Sequence, residues 1–374
     1  MSDTAIGRKV GKIRVGIVGA GNWASHGHLR VLDLLPQYEV VAIYARRPEA
    51  AAAAAARFGI PHVATSVDEL VGLAEVDLVC VLNTAPQHAE TVRAAIAAGK
   101  DVYCEWPLTT TTEVAEELLA LARKAGVRHV VGLQRRLAPH NRFVRDLLTE
   151  GYVGELRSVR MHVSMNYFQA LRSSALRWTA PPENFSSVIA IYAGHFLDML
   201  FHSVGRPTGL SALLVNQFKN VTIAGTGEVI PTTTPDQLVL SANLGGSAVL
   251  SVHIEGGKRN GSGVQIDITG DQGDLRITNV SAFGDVGDDY VIEGAKGDNL
   301  PLQTLTVPES YNWLPDSNLP SAVLELANLY VAFAAGGEDA VDRAPSFEDA
   351  LWLHLLFDSF EASNRDGKRV DVAR

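Results

Sequence analysis

The chain has 374 residues, 47% of them apolar and 20% charged, with a formal net charge of −10. That much apolar material excludes a disordered chain and is enough for two or three domains at roughly 100–200 residues each. The acidic balance disfavours a partner held through a phosphate backbone, so no direct nucleic-acid contact is expected. The two cysteines, Cys80 and Cys104, exclude a disulfide-built fold.

Residues 1–11 are polar and lack the apolar core of a secretory leader. The continuous apolar stretches, residues 188–194 among them, fall far below the ~20 residues needed to cross a bilayer. The expectation is a cytoplasmic protein without a membrane partner.

Strand-like runs at 14–18, 39–44, 76–82, 101–105 and 129–132 alternate with helical patterns at 24–35, 48–58, 67–73, 89–98 and 112–125. Strands separated by helices imply parallel β-α-β units in an α/β fold. The seven alanines at 50–56 read as a crossover helix, since alanine is the best helix former. From about residue 155 the texture changes to runs rich in Val, Ile, Ser and Thr at 156–163, 210–215, 237–244, 248–254, 264–269 and 274–277. These predict antiparallel strands. Gly270 to Asp274 is a turn between two of them. The acidic, glycine-rich stretch 285–298 lacks the oxygen-ligand spacing of a calcium loop, so a solvated hairpin is expected and no metal. Amphipathic helices at 322–335 and 346–363 close the chain.

The first strand runs into Gly19-x-Gly21-x-x-Ala24, a dinucleotide fingerprint with alanine in its third place. Gly19 permits the tight turn and Gly21 lets the backbone approach a pyrophosphate. Ala24 keeps the helix close to its strand, and the helix start, with Asn22 and Trp23, offers free N–H groups to phosphate. The second strand ends in Tyr44-Ala45-Arg46-Arg47, with no acidic residue for a ribose 2′-hydroxyl. Arg46 and Arg47 suit a 2′-phosphate, which favours NADP over NAD; the alternative is a pair of solvated helix-start charges.

Further motifs follow in order: Asn83-Thr84 with His88, then Glu105-Trp106-Pro107, Gly132-Leu133-Gln134-Arg135-Arg136, Gly194-His195-Phe196-Leu197-Asp198 and Ser346-Phe347-Glu348-Asp349-Ala350. With the glycine turn, they resemble the family of glucose–fructose oxidoreductase, inositol dehydrogenase and the rhizopine-catabolism oxidoreductases (Gfo/Idh/MocA). Within it they are similar to the branch of the fungal galactose-regulon repressor. The resemblance implies a Rossmann domain at 12–133. A second domain at 134–374 would carry a large open, mainly antiparallel sheet and the C-terminal helices. It also implies a cofactor site that adds Asn83, Thr84, His88, Glu105, Trp106, Pro107 and Gln134 to the glycine turn.

Active members of the family handle the substrate proton with a lysine, an aspartate and a histidine. Here Trp106 stands in the lysine's place, and an indole N–H only donates. The aspartate's place holds Ile191, and the histidine matches as His195, the candidate proton acceptor. Asp198 and His202 repeat the spacing out of register, either as a relocated pair or as a structural helix pair. Lys258 is a substitute cation only if its loop reaches the cleft. Trp106, Tyr167 and Trp178 are candidates to stack on a sugar ring, against a core reading for each. Arg136 follows the last Rossmann strand, where it meets either a hydroxyl-rich substrate or a domain-interface carboxylate.

The leading expectation is an NAD(P)-dependent oxidoreductase acting on a sugar, sugar derivative or cyclitol. The alternative is a catalytically silent dinucleotide-binding regulator working through a protein partner. By the family likeness, a homodimer or homotetramer forms through the open sheet.

Overall fold

The computed structural model describes residues 11–261, 263–282, 290–314, 317–337 and 340–372. The first sheet holds β1 (Ile13–Val18), β2 (Tyr38–Tyr44), β3 (His62–Val63), β4 (Leu78–Val81), β5 (Asp101–Cys104) and β6 (His129–Val131), in the order β3-β2-β1-β4-β5-β6. All its pairings are parallel. Every residue of β4 is buried, as expected of a parallel strand covered on both faces, which explains why these strands read as unbroken apolar runs. The crossovers are α1 (Leu29–Leu34), α2 (Pro48–Phe58), α3 (Val67–Gly72), α4 (Ala85–Ala97) and α5 (Thr112–Ala125). Helix α2 starts with Pro in its first turn and stops at Gly59, whose φ of 67° is the left-handed cap. The seven-alanine run is therefore a helix.

Around the first sheet, three elements differ from the sequence reading. Strand β3 is two residues long, too short to leave an alternating pattern. Helix α4 begins at Ala85 rather than 89, because Pro86 sits in the first turn, where its missing N–H costs nothing. The helix after the glycine turn opens with a π-turn, Ala24–His28.

Next come α6 (Pro139–Thr149), β7 (Leu156–Ser164), β8 (Leu171–Arg172), α7 (Gly194–Val204), β9 (Gly209–Val215), β10 (Asn220–Ile223), β11 (Val229–Pro231), β12 (Gln237–Asn243), β13 (Val249–Glu255), β14 (Gly263–Gly270), β15 (Gly273–Asn279), β16 (Val291–Lys296) and β17 (Gln303–Thr304). The chain ends with α8 (Ser321–Ala335), α9 (Phe347–Asp366) and β18 (Val370–Asp371). A nine-stranded sheet runs β17-β16-β15-β14-β7-β13-β12-β9-β18, antiparallel except for the β7–β13 pair. Burial alternates along β12, so one face packs on helices and the other looks outward. The outward face carries Leu213, Val239, Val249 and Val291, all exposed.

Helix α6 escaped the periodicity reading because its buried residues include Asn141, Arg142 and Arg145, which interrupt any apolar stripe. Of the stretch 285–298, residues 285–289 lie outside the described residues, and 291–296 form β16, paired with β15. The boundary at residues 133 and 134 separates the two sheets but not the helices. Helix α8 returns to the first sheet, where Tyr330 stacks on Tyr103 with ring centroids 5.4 Å apart. The segment Pro182–Val204 is long and apolar enough to cross a membrane by composition, yet 72% of its window is buried inside the protein, as in a core helix.

Candidate functional site

The site forms where the carboxyl ends of the parallel strands meet the first turn of α7, the edge at which open α/β sheets bind ligands. At the end of β1, Gly19 has a φ of 118°, and a Cβ there would lie 2.8 Å from the Leu82 backbone. Only glycine fits that approach. A Cβ on Gly21 would meet nothing within 4 Å, so the helix start faces open space. Asn22 is exposed, Trp23 half-buried and Ala24 buried against the sheet. Arg46 and Arg47 are exposed beyond β2. This cradle of open backbone and flanking guanidinium groups fits a dinucleotide.

Beyond β4, Asn83 donates from Nδ2 to Thr91 Oγ1 at 3.2 Å, while its Oδ1 is buried without a protein partner. Thr84 is half-buried beside it. His88 corrects the expectation of a cofactor contact. It is 1% exposed, and its ring nitrogens face the carbonyls of Pro107 at 2.8 Å and Asn83 at 3.0 Å. It braces the loops after β4 and β5 from inside.

Glu105 follows β5 and is the centre of a buried network. Its Oε1 receives His28 Nε2 at 2.8 Å and the Tyr103 hydroxyl at 2.7 Å. His28, in the π-turn, is fully buried and faces the Tyr330 hydroxyl with Nδ1 at 2.8 Å. Tyr330 in turn lies 3.3 Å from Cys80 Sγ. The pattern assigns the Nε2–H tautomer to His28, with the tyrosine donating to Nδ1. A Cβ on Gly132 would lie 2.7 Å from the Tyr103 hydroxyl and 3.3 Å from Glu105 Oε1, so this glycine makes room for the carboxylate. Burial raises the Glu105 carboxyl, but His28, Tyr103 and the nearby His195 outweigh it and hold the group below its ordinary range.

Trp106 belongs to the core. It is 5% exposed, its indole N–H donates to the Ala190 carbonyl at 2.8 Å, and its ring lies against His354 and Phe357. A Cβ on Gly194 would fall 2.1 Å from Nε1, so the indole rests directly on the start of α7. Its rings are covered, which overturns the sugar-stacking expectation. The Trp106–Pro107 peptide is cis.

His195 stands one residue further along α7, 8% exposed, with Nδ1 buried and unpartnered by protein. Burial, and then the Arg135 guanidinium, push this imidazole down to about 3, with Glu105 opposing them. The ring is neutral at physiological pH, with a lone pair to offer. Arg135 lies over the Phe196 ring, 4.5 Å from its centroid, and bonds Tyr290. Gln134 is 8% exposed with Oε1 buried and unpartnered.

Arg136 does not face a substrate. It is 4% exposed and forks onto Asp198, with Asp349 at 3.4 Å from the same guanidinium. The interface-carboxylate alternative therefore holds, and Asp198 is a structural partner instead of one half of a relocated pair. His202 Nε2 has no partner among the described residues. The Lys258 ammonium reaches Ser164 Oγ at 3.3 Å and Glu255 at 3.8 Å, at the ends of β7 and β13. Tyr167 is 46% exposed and stacks on Tyr192 at 6.3 Å, so an open aromatic face lies close to α7. Trp178 is half-buried in the turn Ser174–Thr179.

The sequence reading missed His28, Tyr103 and Tyr330 as parts of the site. Tyr330 lies 302 residues from His28, and no spacing rule connects them.

Residues 13–133 match the family described as "Oxidoreductase family, NAD-binding Rossmann fold", and residues 139–279 match "Gal80p, C-terminal domain". The chain is 32% identical over 251 residues to dehydrogenase aclE of Aspergillus oryzae, covering 64% of this chain and 68% of that protein. A super-repressor mutant of Gal80p from Saccharomyces cerevisiae superposes with a TM-score of 0.84 at 22% identity, covering 96% of this chain and 97% of that one. Levoglucosan dehydrogenase, solved with NADH and L-sorbose, gives a TM-score of 0.81 at 21% identity, covering 97% and 100%. These two structures share the fold.

Proposed function

The chain belongs to the Gfo/Idh/MocA family of NAD-binding Rossmann-fold oxidoreductases, and from that membership we propose that it transfers a hydride between a nicotinamide dinucleotide and a carbinol or carbonyl of a sugar, sugar derivative or cyclitol. The observation that carries this reading is the buried, unpartnered Nδ1 of His195, set beside Glu105 at the edge where the glycine turn opens. A buried polar atom without a partner costs about 1–3 kcal/mol, a cost that a ligand hydroxyl at the imidazole would relieve.

The glycine turn, Asn22, Trp23, Thr84, Pro107 and Gln134 would hold the cofactor, and Arg46 and Arg47 favour a 2′-phosphate, hence NADP. The nicotinamide would supply the hydride acceptor or donor. The protein's own part is to orient the carbinol, accept its proton at the imidazole and keep bulk water away. A neutral His195 takes the hydroxyl proton as the carbonyl forms. Tyr167 and Tyr192 would offer an aromatic wall for a sugar ring. Both cysteines are buried free thiols, which suits the reducing cytoplasm. The outward sheet face, with Leu213, Val239, Val249 and Val291, suits a homodimer or homotetramer.

Trp106 in the core and Ile191 on α7's approach favour a second reading, a dinucleotide-binding regulator acting through a protein partner. A spectrophotometric assay of purified protein with NAD or NADP across sugars, sugar acids and cyclitols separates the two. Turnover supports the oxidoreductase; tight dinucleotide binding with no turnover on any of them supports the regulator.

A further inference from the structure

The place four residues before His195 holds Ile191, and Asp198, the carboxylate on α7, is taken up by Arg136. We propose that the carboxylate partner of His195 comes from the other domain, as Glu105 at the end of β5, and that Trp106 is the latch that brings the two together. This rests on the oxidoreductase reading above.

The chain itself carries the argument. Glu105 immediately precedes Trp106, and His195 immediately follows Gly194. Trp106 and Gly194 are in contact so close that a single added methyl group would fall 2.1 Å from the indole nitrogen. The indole N–H also donates to Ala190 at 2.8 Å, which ties the turn leading into α7 to the end of β5. The contact brings the end of β5 and the start of α7 to one junction, where the carboxylate and the imidazole are close enough to act on each other's charge. The carboxylate is held firmly: Oε1 takes both the His28 and the Tyr103 bonds, and Gly132 leaves the space they need. The Glu105 side chain keeps 18% of its surface exposed.

When the substrate hydroxyl gives up its proton, the O–H bond breaks and an N–H bond forms on the imidazole. The electron pair left on oxygen would become the second carbonyl bond as the hydride passes from carbon to a bound oxidised nicotinamide dinucleotide, the two-electron acceptor. The imidazolium so formed is opposed by burial and by Arg135, from the turn after β6. Among the described residues Glu105 is the anion that favours it, and it stays ionised because His28 and Tyr103 bond its charged form. Glu105 thus acts through His195, as a positioning and charge-balancing residue. The carboxylate and the imidazole are thus divided between the two sheets' domains.

The test uses the full chain with NAD(P) and a sugar that the wild-type protein turns over. Glu105→Gln keeps the shape and removes the charge. It is expected to lower kcat about 10²-fold with KM for the sugar and Kd for NADH within about twofold, and to raise the solvent deuterium isotope effect on kcat as proton transfer becomes limiting. His28→Gln leaves the charge but frees its orientation; it is expected to give a smaller kcat loss with the same signature, and it carries the test if the first variant fails to fold. Unchanged kcat in both variants overturns the proposal, as does a loss that falls equally on KM and NADH binding with no change in isotope effect. A wild-type protein that binds NADH but turns over no sugar overturns the oxidoreductase reading itself, and the pairing with it.

Discussion

Trp106 shows how a residue's place in a motif can mislead about its role. Standing where relatives of this family have a catalytic lysine, it invites the idea that restoring lysine would restore or raise activity. The structure argues the reverse, because the indole fills a closed space between Gly194, His354 and Phe357 and satisfies the Ala190 carbonyl. Trp106→Lys would bury an ammonium there and leave that carbonyl unpaired. The expected outcome is a loss of roughly 3 kcal/mol or more in urea unfolding, with no gain in turnover. A variant as stable as wild type with higher kcat would show that the lysine's place is still open. His195 and the glycine turn were legible in the sequence because each lies within a short motif. The Glu105 network was not, since His28 and Tyr330 meet only through the return of α8 to the first sheet. For Arg136 the sequence left two partners open. Burial decides between them, because a guanidinium 4% exposed needs its carboxylates within the protein.

Among the elements, α9 concentrates the most electrostatics at one end. Ser346 and Asp349 form a reciprocal capping box. The same Asp349 receives Arg136, Arg206 and Arg343 from three other segments. Burial raises its carboxyl, but Arg136, Arg343 and the Ser346 amide outweigh that and hold it far below the usual aspartate range. A folded-state value below the unfolded one means this stabilisation is complete above the ordinary value near 3.9 and is lost as the pH falls below it. Asp349→Asn should therefore cost about 3 kcal/mol at pH 7 by leaving the Arg136 cluster short of an anion, and the gap to wild type should narrow in acid. Urea midpoints at pH 7 and pH 3 check both parts; a constant gap would contradict the assignment. The elements themselves were largely readable. The crossover helices and the alternating strands follow apolar periodicity, whereas α6 did not show because its inner face is built from arginine and asparagine.

The whole molecule places neutral histidines in dry positions. Burial, and then Arg135, push His195 down to about 3, and burial pushes His354 down to about 4. The unfolded chain takes up protons at these rings first, as pH falls through about 6.5. Stability from this source is full above that value and is lost going down, at roughly 1 kcal/mol per histidine per pH unit. Unfolding free energy should drop measurably between pH 7.5 and pH 5.5, before most carboxylates titrate. A flat profile over that range would mean that these rings are hydrated.

The molecule's outer surface also bears on assembly. The outward sheet face leaves Val239 and Val249 on adjacent strands, each about half exposed. If this face joins copies of the chain, Val239→Glu with Val249→Glu should convert the assembly to monomers in sedimentation without lowering dinucleotide affinity. An unchanged sedimentation profile would place the contact elsewhere.

At this scale everything depends on a dinucleotide lying over Gly19 and Gly21 at the edge that also presents His195. Calorimetric titration with NADPH and NADH tests that directly. The account predicts saturable binding of one dinucleotide per chain, tighter for NADPH, with Arg46→Ala and Arg47→Ala together removing about tenfold of the NADPH affinity and leaving NADH nearly unchanged. Absence of binding heat for both dinucleotides in the folded protein would contradict it.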